Sequence, residues 1–130
     1  MNLSKITGKY VGQSFEKCNC MELVYNWFSD LEIKLPDKYK DLDLYSYMDN
    51  WEKDKKGTIK TMLELFRTLG TEVNIKKIKK YDLLAVQEKG NIYAAIAIGV
   101  NTIITSHINK GVKVSKLGKY HKVILARRLI

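Results

Sequence analysis

From Tyr81 onward the apolar residues come in short runs broken by turn residues, and this pattern restricts the chain more than any other feature. The runs are D-L-L-A-V-Q-E, I-Y-A-A-I-A-I, T-I-I-T-S-H, V-K-V and K-V-I-L-A-R-R-L, with K-G-N, G-V-N and N-K-G between the first four. Runs this short, rich in β-branched residues and separated by Gly and Asn, cannot be read as helices. They predict an antiparallel meander of about five strands. Upstream the period is different. Leu23, Val24, Trp27, Phe28 and Leu31 recur as the buried stripe of a helix from about Met21 to Leu31. A second helix is expected with Thr58 as N-cap, Ile59, Met62, Leu63, Phe66 and Leu69 on one face, and Gly70 as its stop. The stretch after Pro36 reads as a loop with a short helix around Leu42 to Trp51. Helices first and a meander afterwards imply an α+β fold, with the helices packed on one side of a curled sheet.

At 130 residues the chain is long enough to bury a core without covalent staples, and a single domain over residues 1–130 is expected. Its two cysteines, Cys18 and Cys20, are too few and too close for a disulfide framework, so reduced thiols are expected. The C-x-C pair does not stand at zinc-motif spacing from His107 or His121, and no metal or other cofactor is expected. No apolar run has the character of a signal peptide or approaches the roughly 20 residues of a membrane span. A soluble product made in a cytoplasm is the expectation.

Charge divides the chain unevenly. Residues 1–72 carry 11 basic and 12 acidic groups, and residues 73–130 carry 12 basic and 2 acidic, giving −1 and +10 within the overall +9. A basic C-terminal half attracts nucleic acid, anionic wall polymer or an acidic protein, or is simply a solvated lysine face. Lys76, Lys77, Lys79 and Lys80 lack the interleaved aromatics of a nucleic-acid site, so nucleic acid is not the expected partner. Tyr45, Tyr47 and Trp51 could line a groove or an interface.

Cys20 is the residue placed for chemistry. Asn19 reads as the N-cap of the first helix, which puts Cys20 where first-turn N–H groups and the helix dipole favour a thiolate. Groups from the second and third strands of the meander could reach it there. The alternative is a cysteine that packs as a small buried hydrophobe. Cys18 reads as incidental.

Read in order, the chain offers Y-V-G at 10–12, N-C-M-E-L-V at 19–24, L-P at 35–36, Y-D-L-L at 81–84, Y-A-A-I-A-I-G at 93–99, I-I-T-S at 103–106 and G-V at 111–112. This succession resembles the NlpC family of papain-like cell-wall cysteine peptidases, in particular its phage-tail branch. The resemblance implies a papain-like NlpC-type fold, with N-terminal helices packed on a five-stranded antiparallel sheet. It also implies that Cys20 holds the nucleophile position, that Tyr93 stands where the family has its base histidine, and that Thr105 stands at the third polar position. The cysteine alone is kept. A phenol of ordinary pKa about 10 neither takes the thiol proton at neutral pH nor offers an imidazolium charge. His107, two residues beyond Thr105 on the same strand face, is either a displaced base or a strand-end histidine.

Three functions follow as expectations. The first is a degenerate NlpC-like domain, a pseudoenzyme serving as a structural or assembly component of a phage tail (tip or neck) or at the cell wall, with virion proteins and possible peptidoglycan contact as its partners. The second is an active peptidoglycan endopeptidase in which Cys20 attacks and His107 is the base. The third is a basic module that binds nucleic acid or anionic wall polymer.

Overall fold

The structure, a computed structural model, describes residues 3–36, 38–40, 42–43 and 51–130. Helix α1 (Leu3–Tyr10) leads through a turn to α2 (Cys20–Asp30), then to a two-residue hairpin of β1 (Lys38–Tyr39) and β2 (Leu42–Asp43). Helix α3 (Lys55–Arg67) follows, then a short β3 (Thr71–Glu72) and a 3-10 turn at Ile75–Lys77. The strands β4 (Leu83–Glu88), β5 (Asn91–Gly99), β6 (Thr102–His107), β7 (Gly111–Lys116) and β8 (His121–Arg128) complete the chain.

All five expected strands are present, and β3 adds a sixth. The sheet runs β3-β8-β4-β5-β6-β7, antiparallel throughout, so the last strand lies between β3 and β4. Successive residues of the central strands are buried on alternate faces, as pleating requires, so both faces of the sheet are covered. Leu83, Ala85, Ala94, Ile96, Ile104 and Val112 join the helices in one core, while Leu84, Val86, Ala95, Ala97, Ile103 and Ala126 form a second one with Val73.

Helix α2 forms where its stripe predicts. Asn19 Oδ1 accepts the Glu22 N–H at 2.9 Å, and Glu22 Oε1 accepts the Asn19 N–H at 3.3 Å, a reciprocal capping box. Leu23, Val24, Trp27 and Phe28 are fully buried, and each side chain of this size contributes about 1.5–3 kcal/mol when removed from water. Helix α3 starts four residues earlier than expected. Asp54, not Thr58, is the N-cap, because its carboxylate accepts the Gly57 N–H at 3.0 Å. Thr58 lies inside the helix and turns its hydroxyl back to the Asp54 carbonyl at 2.8 Å. Met62, Leu65 and Phe66 carry α3 into the same core as α2.

Two expectations need correction or fall outside the description. Of the short helix expected around Leu42 to Trp51, Leu42 and Asp43 are strand, Trp51 is helical, and residues 44–50, with Tyr45 and Tyr47, lie outside the described residues. Helix α1 has no counterpart in the sequence reading. It is tied to the far end of α2, where Tyr10 Oη donates to Asp30 Oδ2 at 2.5 Å and Lys9 Nζ stands 3.2 Å from the same oxygen. Beyond it, Gly12, at φ +95°, donates to the Val112 carbonyl at 2.9 Å, and the Val112 N–H returns to Gln13 at 2.8 Å. Residues 12–13 are thereby fastened to β7.

Candidate functional site

The capping box fixes where Cys20 sits. With Asn19 extended at φ −73°, ψ 175°, Cys20 becomes the first residue of α2 and is 3% exposed. Its neighbour Cys18 is held from the sheet side, because the Ser106 hydroxyl of β6 donates to the Cys18 carbonyl. Burial, with the charge of Glu22 behind it, pushes the Cys18 thiol up to about 11, so it stays protonated.

Cys20 opens into a cleft of about 230 Å³. The end of β4 supplies Glu88, the start of β5 supplies Asn91 and Tyr93, and the end of β6 supplies Thr105 and His107. Trp51 and Lys55 close the side towards α3. All four residues singled out by sequence, Cys20, Tyr93, Thr105 and His107, therefore line one cavity. Trp51 also lines it, as the groove expectation anticipated.

The local bonding of three of these groups decides what they can do. Tyr93 is half-buried, and its phenol is pushed up to about 12 by burial first, then by Glu88 and by Cys20 beside it. It can donate a hydrogen bond and cannot act as a base near neutrality. Thr105 is buried, and its hydroxyl proton goes to the Ala94 carbonyl at 2.6 Å. His107 Nδ1 accepts the Asn109 N–H at 3.2 Å, which leaves the neutral ring with its proton on Nε2. Burial and Lys113 hold the His107 pKa below the ordinary range, against a weaker opposite pull from Glu88.

Residues that the motifs did not flag supply the remaining charge. Glu88 Oε1 lies 2.6 Å from His121 Nε2, and His121 Nδ1 accepts the Gly118 N–H at 2.9 Å, which places the imidazole proton on the nitrogen facing the carboxylate. Lys55 Nζ donates to Asn91 Oδ1 and stands 5.4 Å from the Trp51 ring centroid, at cation–π range. Glu88 and Asn91 flank the Lys89–Gly90 turn that leads into β5, and that turn was the available signal for them. No group of three metal-ligating side chains occurs among the described residues. No helix among them is long and apolar enough to cross a membrane.

The arrangement is a thiol at a helix N-terminus facing strand-borne polar groups, as in a cysteine peptidase, without a free basic nitrogen in the place of the base. Comparison with known proteins agrees with the architecture. No curated protein matches the sequence. Among solved structures, an NlpC/P60 family protein from Bacillus cereus ATCC 10987 superposes with a TM-score of 0.64 at 17% identity, over 98% of this chain and 39% of that one. This chain thus spans about two-fifths of the length of that protein, and the likeness is one of fold. The NlpC/P60 family model matches residues 8–127, from the end of α1 to the end of β8, and so takes in the cysteine helix, the cleft and the whole meander: the chain belongs to the NlpC/P60 family.

Proposed function

We propose that this chain is a degenerate NlpC/P60 domain that serves as a structural or assembly component of a phage tail, at its tip or neck, or acts at the cell wall, and that it works by binding rather than by catalysis. The observation that carries this reading is the state of the positions facing Cys20. Tyr93 keeps its proton to about 12, and the Thr105 hydroxyl is committed to a backbone carbonyl. General acid–base help contributes about 10²–10⁴-fold to such reactions, and here neither group can supply it. The cleft itself persists, with an aromatic wall, a carboxylate and an ammonium that suit retention of a peptide. On this reading the protein is made in the bacterial cytoplasm and carried into the virion, where its partners are tail proteins and, on contact with the wall, peptidoglycan.

One observation favours a second reading, an active endopeptidase: His107 shares the cleft with Cys20. As a base it would first have to give up the Asn109 N–H or turn its ring. The test is release of soluble fragments from purified peptidoglycan at neutral pH by the wild-type chain and by Cys20→Ala, with sedimentation of both on the same material. The proposal expects co-sedimentation without release from either. Release that depends on Cys20 would overturn it and make His107→Ala the next variant.

A further inference from the structure

The outer edge of β7 is covered over only part of its length. Val112 turns both its N–H and its C=O outward to Gly12 and Gln13, and Gly111 packs so closely there that a Cβ would stand 2.2 Å from the Gln13 carbonyl oxygen. In an antiparallel ladder, residues two apart point their backbone groups the same way. Val114 and Lys116, paired across β6 with Ile104 and Thr102, therefore present their N–H and C=O groups on the same outer side. Strand β7 is the last in the sheet, and among the described residues no hydrogen bond reaches those groups. The Val114 side chain is 45% exposed.

Charge shapes what such an edge can accept. Lys110, Lys113, Lys116 and Lys119 lie on and beside β7, and none forms an ion pair among the described residues. The only acids of residues 73–130, Asp82 and Glu88, are engaged by Arg128 and His121 on the β4–β8 side, with β5 and β6 between them and β7. Two copies meeting edge to edge would bring like charges together, the arrangement by which natural sheets discourage self-pairing. An extended acidic segment meets no such barrier and gains both ladder bonds and charge pairing.

We infer that the open half of β7 is a docking edge for an extended acidic segment of a partner protein, which adds a seventh strand beside Val114 and Lys116. This site is distinct from the cleft and stands whether or not the cleft binds or cleaves. A fluorescent, uncharged-terminus peptide alternating valine and glutamate is the probe, read by anisotropy at low and high salt against a proline-interrupted version and a DNA oligonucleotide. The expected result is binding that weakens with salt, falls about tenfold in Val114→Pro, which removes an outward N–H, and falls at least as far in the exposed charge reversal Lys116→Glu. Amide exchange supplies a second readout: the peptide should slow exchange at Val114 and Lys116 and leave the cleft residues unchanged. If Val114→Pro loses its fold, Lys116→Glu and the exchange data decide. Absence of binding at low salt, equal binding of the proline-interrupted peptide or of DNA, or self-association through β7 in place of peptide binding would each overturn the inference.

Discussion

Alkali is expected to destabilise this protein from just above pH 9, because Cys18 in the core and Tyr93 in the cleft hold their protons more tightly folded than unfolded. Burial raises the Cys18 thiol from 9.0 to about 11, and burial with Glu88 and Cys20 raises the Tyr93 phenol from 10.0 to about 12. Both folded values lie above the unfolded ones. Their stabilisation is therefore complete below pH 9 and is lost as pH rises towards the folded values. Linkage gives a loss by pH 11 of about 2 kcal/mol from Cys18 and about 1.5 kcal/mol from Tyr93, the latter trimmed somewhat by screening at its exposed rim. Tyr10, raised by burial and by its bond to Asp30, acts in the same direction. A combined loss of about 3 kcal/mol is a large part of the roughly 5–15 kcal/mol that holds a domain folded. Urea unfolding at intervals from pH 8 to pH 11 measures it, with Tyr93→Phe and Cys18→Ala each flattening the decline by their own share. A wild-type stability constant to within about 1 kcal/mol over that range, or variants with the full wild-type slope, would refute the argument. The proton that stabilises Tyr93 is the one that disqualifies it as a base.

Other consequences concern the sheet. Asp82 is buried under a two-pronged Arg128, with Nε and one terminal nitrogen both at 2.9 Å, and also accepts the Lys79 N–H at 2.8 Å. Asp82→Ala should cost about 1–3 kcal/mol in denaturant unfolding by removing the shared acceptor of those donors, and an unchanged unfolding midpoint would contradict the pairing. Gly111 stands at φ +73° against the Gln13 carbonyl, so Gly111→Ala should cost at least about 1–3 kcal/mol and loosen residues 12–13, seen as faster limited proteolysis there.

The sequence was most readable where local and tertiary forces agree. Asn19 caps α2 and the stripe through Trp27 packs it, so position, face and the placing of Cys20 were all open to inference. Turn residues at Lys89–Gly90 and Asn109–Gly111 announced the meander. Helix α1 was hidden because its stability comes from Asp30, twenty residues away, and not from a long stripe. Strand β3 is two residues long and exists because Arg127 and Arg128 pair with it, while Arg127 Nε also binds the Leu69 carbonyl at 2.7 Å. Thr58 has the chemistry of an N-cap, but Asp54, four residues earlier, takes that place because its carboxylate accepts the Gly57 N–H. In the site, Cys20, Tyr93, Thr105 and His107 line one cleft because the start of β5 and the end of β6 lie beside the start of α2. Lys55, Glu88 and Asn91 escaped because only the pairing of β4 with β5 and the bond from α3 bring them to the same rim.

The place of β8 between β3 and β4 matters for how the protein is made. Strand β4 is among the most buried in the sheet, and it can find β5 almost as soon as both have been synthesised, but its other flank waits for residues 121–128. During translation a growing chain therefore carries Leu83 to Val86 with one side of the backbone open, the kind of edge that invites pairing with a neighbouring nascent chain. Closure comes late and over a long sequence separation, which slows folding in vitro and makes early release or a block before β8 the most aggregation-prone moment in the life of the molecule.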